Sequence, residues 1–160
     1  MNNLDAINPQ HSAQAQQILS TAEARGREKA IGYRGLVTPQ EAWDLTQLKA
    51  AVLIDTRTKA ELDWVGRVPG AIHIEWYDYP SRTPNPQFLA TIKAQFPTQM
   101  WLLLLCRTAT RSNWAGDALL REGFSYAFNI LEGLEGAKNS VGQRRCVDGW
   151  IQRGLPWEQD

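Results

Sequence analysis

The sequence predicts an α/β domain built on an open, mainly parallel sheet with helices packed on its faces. Three apolar runs carry that expectation: Ala51-Val52-Leu53-Ile54, Met100 to Leu105 and Tyr126 to Leu131. The first two lack the polar alternation of a half-exposed strand, as expected of strands covered on both faces. Segments with helical spacing and capping residues lie between the runs, and strands alternating with helices favour parallel pairing. At 160 residues the chain is long enough for one compact domain with a real core, and too short for two comfortable ones.

Taken in order, residues 12 to 30 are rich in Ala, Gln, Glu and Arg, a composition that favours a polar helix, read here as an arm appended to the domain. Thr38 followed by Pro39 is an N-cap with proline at the first helical position, and Ala42, Leu45 and Leu48 predict a helix over 39–49. The first apolar run then gives a strand ending at Asp55. Thr58 and Glu61 form a capping-box pattern that starts a short helix. Pro69 and Gly70 turn the chain into a second strand over 71–74, and Phe88, Ile92 and Phe96 share one face of a helix near 86–96. Met100 to Leu105 is the strongest strand signal and is expected at the centre of the sheet. Ser112 is read as the N-cap of the next helix, with Ala115, Leu119 and Leu120 facing inward and Gly123 ending it. Tyr126 to Leu131 is the last strand, and Trp150 to Arg153 is expected as a short closing helix stopped by Gly154 and Pro156.

Lysine plus arginine (17) balance aspartate plus glutamate (17), so neither nucleic acid nor an anionic membrane surface is an expected partner. No stretch approaches the roughly 20 apolar residues that span a bilayer. The N-terminal residues show no secretory pattern, so the expected location is the cytoplasm. There the two cysteines, Cys106 and Cys146, are expected as free or catalytic thiols rather than a bridge. Two histidines, His11 and His73, and cysteines without zinc-ligand spacing give no metal site, and no organic cofactor is implied.

In parallel sheets, ligands gather outside the carboxyl ends of the strands, and Cys106 stands at such an end. It is followed by Arg107, Thr108, Ala109, Thr110, Arg111 and Ser112, a loop without bulky apolar residues that runs into a helix. Successive backbone N–H groups of a tight loop form an anion nest, and a helix N-terminus adds about half a positive charge. With Arg107 and Arg111 close by, these features favour the thiolate of Cys106 over the thiol. A thiolate held this way attacks a sulfane sulfur and keeps it as a persulfide. The plain alternative is a cysteine filling a buried strand end, but two arginines and two threonines around it bring no packing gain.

Cys106-Arg107-Thr108-Ala109-Thr110-Arg111-Ser112 resembles the active-site loop of rhodanese-like domains. Leu53-Ile54-Asp55-Thr56-Arg57, with Glu61 and Gly66-Arg67-Val68-Pro69-Gly70-Ala71, resembles that family's first signature, and Gly149-Trp150-Ile151 with Gly154-Leu155-Pro156-Trp157 resembles its closing segment. Three such motifs in order on a βα pattern are specific together. The resemblance implies a three-layer fold with a central five-stranded sheet, a persulfide on Cys106 and a six-residue loop from Cys106 to Arg111 cradling it. It divides the chain into an N-terminal helical extension, 1–36, and a rhodanese-like domain, 37–157. It implies a sulfurtransferase taking sulfur from thiosulfate or a similar small anionic donor, with Arg107 to Ser112 as the binding loop. One alternative is a persulfide relay that docks a sulfur-acceptor protein. The other is a phosphatase or arsenate reductase on the related scaffold, whose longer loop suits phosphate. Arg67 stands where the family usually has histidine, and Ala109 where glycine is common, so a positive φ at 109 would strain the loop.

Other residues invite two readings each. Asp55 and Arg57 either help hold the loop arginines or form a local cap and ion pair; the second is the expectation. Residues 136–148 read as an insertion on the active-site side. Its Lys138, Arg144 and Arg145 either recruit an acidic partner or are solvated surface charge, and its Cys146 either resolves the Cys106 persulfide or does not reach it. Most of the seven tryptophans are expected in packing roles, with Trp76 and Trp150 as candidate pocket walls, and His73 as a structural histidine.

Overall fold

The computed structural model describes residues 12–159. Five strands, β1 (Gly35–Val37), β2 (Val52–Asp55), β3 (Ile72–His73), β4 (Leu102–Leu105) and β5 (Ala127–Ile130), form one sheet in the order β1-β5-β4-β2-β3. Every pairing is parallel. Helices α1 (Ala13–Glu28), α2 (Pro39–Gln47), α3 (Lys59–Val65), α4 (Phe88–Gln95) and α5 (Thr110–Arg121) supply the connections and the outer layers. No described helix is long and apolar enough to cross a membrane.

β4 is the middle strand, as its unbroken leucine run predicts, and all four of its leucines are fully buried. Its side chains alternate between two cores, as strand geometry requires. Leu103 and Leu105 join Leu53, Phe128 and Ile130 on the face covered by α1 and α2, with Trp101, Trp150 and Leu134. Leu102 and Leu104 join Val52, Ile54 and Ala127 on the other face, under Phe88 and Ile92 of α4 and Ala115 and Leu119 of α5. Each such leucine contributes about 2 kcal/mol of burial, so the strand that delivers Cys106 is firmly fixed.

Helices α2 and α3 begin with complete capping boxes, Thr38 with Glu41 and Thr58 with Glu61. The start of α1 differs from the appended arm the composition suggests. Its Ala15, Ile18, Ala22 and Gly26 are buried, and the first three belong to the core. Small side chains make this face look polar in sequence and let the helix approach closely. A Cβ on Gly35 would lie 2.6 Å from the Ala22 carbonyl oxygen, so α1 rests directly on β1. The three-residue strand β1 is too short to announce itself, and the expected boundary at 36/37 falls inside it.

The expected closing helix at 150–153 is instead a turn. Arg153 N–H donates to the Gly149 carbonyl at 3.0 Å and Gly154 N–H to the Ile151 carbonyl at 3.0 Å, after which Gly154 (φ +73°) redirects the chain. Trp150 is fully buried in the core, its indole N–H donating to the Pro156 carbonyl at 2.8 Å and its ring meeting Trp43 edge-on at 6.0 Å. Trp76 packs edge-on against Phe88 at 5.1 Å.

Candidate active site

Strand β4 stops at Leu105, and Cys106 follows at the carboxyl edge of the sheet, with its side chain buried. The loop after it turns through Ala109, whose backbone is left-handed (φ +67°, ψ 2°). The family's usual glycine would adopt this conformation without cost; alanine stores about 1 kcal/mol of strain there. Among the described residues, the backbone N–H groups of residues 107 to 112 donate to no backbone acceptor, and the first helical bond of α5 is Asn113 N–H to the Ala109 carbonyl, 3.3 Å. Six consecutive N–H groups without a backbone acceptor, at a helix start, are available to an anion.

Ser112 is not the N-cap. Ala109 holds that place without a side-chain bond, so Ser112 lies inside the first turn of α5, fully buried. Its hydroxyl sits 3.2 Å from the Cys106 Sγ and donates to Asn129 Oδ1 at 2.7 Å. Asn129, on β5, donates through Nδ2 to the Ala109 carbonyl at 3.0 Å and so fastens the strained residue. Tyr33, ahead of β1, also meets this amide; its hydroxyl donates to Asn113 Oδ1 at 2.6 Å. Burial pushes the Tyr33 phenol up to about 12, against the opposing pull of the Asn129 bond and with help from the Asp117 charge.

The two loop arginines have different situations. Arg107 is exposed at the rim. Arg111 is buried, and its Nη1 and Nη2 donate to Glu61 of α3 at 2.6 Å each, while its guanidinium lies 5.0 Å from the Tyr77 ring centre. Burial works against the Arg111 charge, but Glu61, helped by Cys106 and Tyr77, raises the guanidinium above its usual value. Burial likewise pushes the Glu61 carboxyl upward, and the Arg111 bonds and charge overcome it and bring it down to about 2. Glu61 therefore holds Arg111 with the same carboxylate that caps α3, Oε2 accepting from Thr58 N–H at 3.0 Å.

Asp55 and Arg57 form the local pair expected of them. Both are fully buried, with Arg57 Nη2 2.6 Å from Asp55 Oδ2 and also donating to the Gly66 carbonyl at 2.8 Å. They brace the turn after α3, and no bond joins them to Arg107 or Arg111 among the described residues. His73 Nε2 donates to the Arg57 carbonyl at 2.7 Å, a structural role.

The segment after β5 supports the loop from behind. Leu134 N–H donates to the Cys106 carbonyl at 2.8 Å, and Glu135 and Gly136 N–H donate to the Arg107 carbonyl at 3.0 and 3.3 Å. Gly133 (φ +71°) lies against the loop backbone; a Cβ there would come within 2.5 Å of Arg107. Beyond it, the insertion closes on itself. Gly136 is pressed against Asp148, whose Oδ1 accepts from Ala137 N–H at 2.6 Å. Lys138, Arg145 and Cys146 are exposed on this loop, while Arg144 folds back to the Gly136 carbonyl at 2.8 Å. Both cysteines are free thiols, Cys106 buried and Cys146 exposed. Among the described residues no cluster of His, Cys, Asp and Glu has the arrangement to hold a metal ion.

Sequence reading alone does not give Glu61, Asn129 and Gly133 their places in this site. Glu61 is legible only as a helix cap. Asn129 leaves a detectable signal, a lone amide in a strand otherwise apolar and buried, which must find a partner.

Residues 38–140 match the rhodanese-like domain family. The chain is 25% identical over 122 residues to a thiosulfate sulfurtransferase GlpE of Actinobacillus succinogenes, covering 76% of this chain and 88% of that one. It is 30% identical over 112 residues to an uncharacterized protein of Rickettsia prowazekii, covering 68% and 83%. Among solved structures, Rv0390 from M. tuberculosis superposes with a TM-score of 0.72 at 34% identity, over 81% of this chain and all of that one. A polysulfide-sulfur transferase homodimer from Wolinella succinogenes shares the fold at a TM-score of 0.57 and 21% identity, over 93% and 95%. With that match spanning well over half of its length on a five-stranded parallel sheet, the chain belongs to the rhodanese-like domain family.

Proposed function

We propose that this protein is a sulfurtransferase that carries sulfane sulfur as a persulfide on Cys106, loading from thiosulfate or a similar small anionic donor. The observation that carries the reading is the Cys106 sulfur set at the head of six consecutive backbone N–H groups without backbone partners. The Cys106 thiolate attacks the outer sulfur of the donor; a new S–S bond forms, the donor's S–S bond breaks, and sulfite leaves with the bonding electrons. The N–H groups of residues 107 to 112 stabilise the negative terminal sulfur. Arg107, exposed at the rim, draws in the sulfonate end. Arg111, clamped by Glu61, keeps its charge beside the sulfur. A nucleophilic acceptor such as cyanide or a thiol then attacks the terminal sulfur and returns Cys106 to the thiolate.

The relatives named as thiosulfate sulfurtransferases support this choice of donor. The loop also supports sulfur over phosphate, since only four residues separate Cys106 from Arg111. No cofactor takes part. The exposed Lys138 and Arg145 beside the loop suit an acidic acceptor protein, and two free thiols suit the reducing cytoplasm. Incubation with thiosulfate is expected to add one sulfur atom to the peptide containing Cys106, and Cys106→Ser is expected to lose both this adduct and turnover to cyanide. An adduct formed only in the presence of a partner enzyme would replace this reading with a relay, and phosphate release from an aryl phosphate would replace it with a phosphatase.

A further inference from the structure

The buried line Cys106, Ser112, Asn129 and Ala109 has a polarity that can be worked out from one end. The Ala109 carbonyl can only accept, so the Asn129 atom 3.0 Å from it is the amide nitrogen, and Asn129 Oδ1 faces Ser112. Oδ1 can also only accept, so the single Ser112 hydroxyl proton is committed to it, 2.7 Å away. Across the remaining 3.2 Å contact, Ser112 has no proton left to give to sulfur. Only its lone pair is available, so in this arrangement the bond runs from the Cys106 S–H to Ser112 Oγ.

From this geometry we infer that Asn129 is a positioning residue that turns Ser112 into an acceptor and restrains ionisation of the resting Cys106 thiol. The line ends on an amide that takes up no proton, so it holds the thiol proton and does not conduct it away. When Cys106 ionises, its proton leaves to solvent and Ser112 faces a sulfur that can only accept. The hydroxyl then swings from Asn129 to sulfur, giving up its bond to a buried amide oxygen, or stays where it is and gives the sulfur no hydroxyl donor. The loop N–H groups and Arg111 pull toward the thiolate, and the Ser112 and Asn129 pair sets a threshold against them.

The inference rests on Cys106 being the reactive thiol, and not on which sulfur compound loads it. Its test therefore uses a neutral alkylating agent, iodoacetamide, which reports ionisation of Cys106 even if thiosulfate proves to be no substrate. The chain carries Cys146→Ser, so that Cys106 alone reacts. The other charged and titratable groups around the loop stay in place throughout: Arg107 and Arg111 of the loop, Glu61 of α3, Asp55 and Arg57 after β2, Tyr77, Glu135 with Arg145 after β5, and Tyr33 with Asp117. Ser112→Ala removes the acceptor, and alkylation at pH 7 is expected to rise by about threefold, the scale of one net hydrogen bond. The curve of rate against pH should move to lower pH with an unchanged plateau. Asn129→Leu releases the Ser112 proton to sulfur and should raise the rate further, by up to about tenfold. In the double variant, with no hydroxyl to release, this extra gain should vanish.

A rate that falls or stays the same in Ser112→Ala would overturn the inference, because Ser112 would then be donating to the thiolate already. An Asn129→Leu gain that persists in the double variant, or appears as a raised plateau, would also overturn it, since that marks a loosened loop. If Asn129→Leu does not fold, Ser112→Ala decides alone.

Discussion

Replacing Glu61 by glutamine tests how the site holds its buried arginine. Glutamine is the neutral isostere of the carboxyl, so Glu61→Gln imposes on the native protein what protonation of Glu61 would impose. The native carboxyl lies at about 2 against an ordinary 4.5. A folded-state value below the unfolded one means that its stabilisation is fully present above pH 4.5 and is lost as pH falls through 2. At about 1.36 kcal/mol per unit, that shift corresponds to roughly 3 kcal/mol at neutral pH and to about 1.4 kcal/mol at pH 3. The Glu61 side chain is 20% exposed and Arg111 8%, so solvent screening leaves most of this in place. Urea unfolding followed by tryptophan fluorescence, at pH 7 and at pH 3, measures both numbers. The cost of Glu61→Gln is expected to shrink by about 2 kcal/mol between the two. An equal cost at both pH values would refute the argument, because it would assign the effect to packing rather than to the charge of the Glu61 carboxylate, which Arg111 and the Thr58 N–H hold.

Other substitutions probe the parts around it. Ala109→Gly relieves the left-handed backbone while adding unfolded-state freedom, and the balance should stabilise the protein by about 0.5 kcal/mol in urea unfolding; a loss of stability would argue against strain at φ +67°. Gly133→Ala drives a methyl group into the Arg107 backbone at a positive φ. It should cost about 1–3 kcal/mol and at least tenfold in thiosulfate turnover, since the displaced atoms belong to the cradle. Gly35→Ala forces α1 away from β1 and should lower the urea midpoint of the whole domain in one transition. A separate early transition would instead show that α1 is an independent arm.

The parts legible in the sequence are those where local chemistry and the tertiary answer agree. The β4 run of leucines, the capping box at Thr58, the N-cap and proline at Thr38 and Pro39, and the polar loop after Cys106 each carry their own signal, and the structure places them as that signal predicts. What stays hidden depends on partners distant in the chain. β1 is three residues long and is a strand only because β5 lies beside it. The Ala and Gly face of α1 looks like surface until β1 is laid against it. Ser112 reads as a cap because serine before a helix usually is one; Ala109 takes that place through a backbone angle that residue type alone did not specify. Glu61 meets Arg111 across 50 positions, and nothing local to either announces the other.

The tip of the insertion closes on itself, Asn139 N–H donating to the Gln143 carbonyl at 2.8 Å, while its neck is tied to the body where Gly136 meets Asp148 and where Arg145 N–H donates to the Glu135 carbonyl at 2.8 Å. The neck is bound to the cradle through Glu135 and Gly136, which hold the Arg107 carbonyl, so it is the tip alone whose length and chemistry can be retuned for a different visitor while the inner geometry stays as it is.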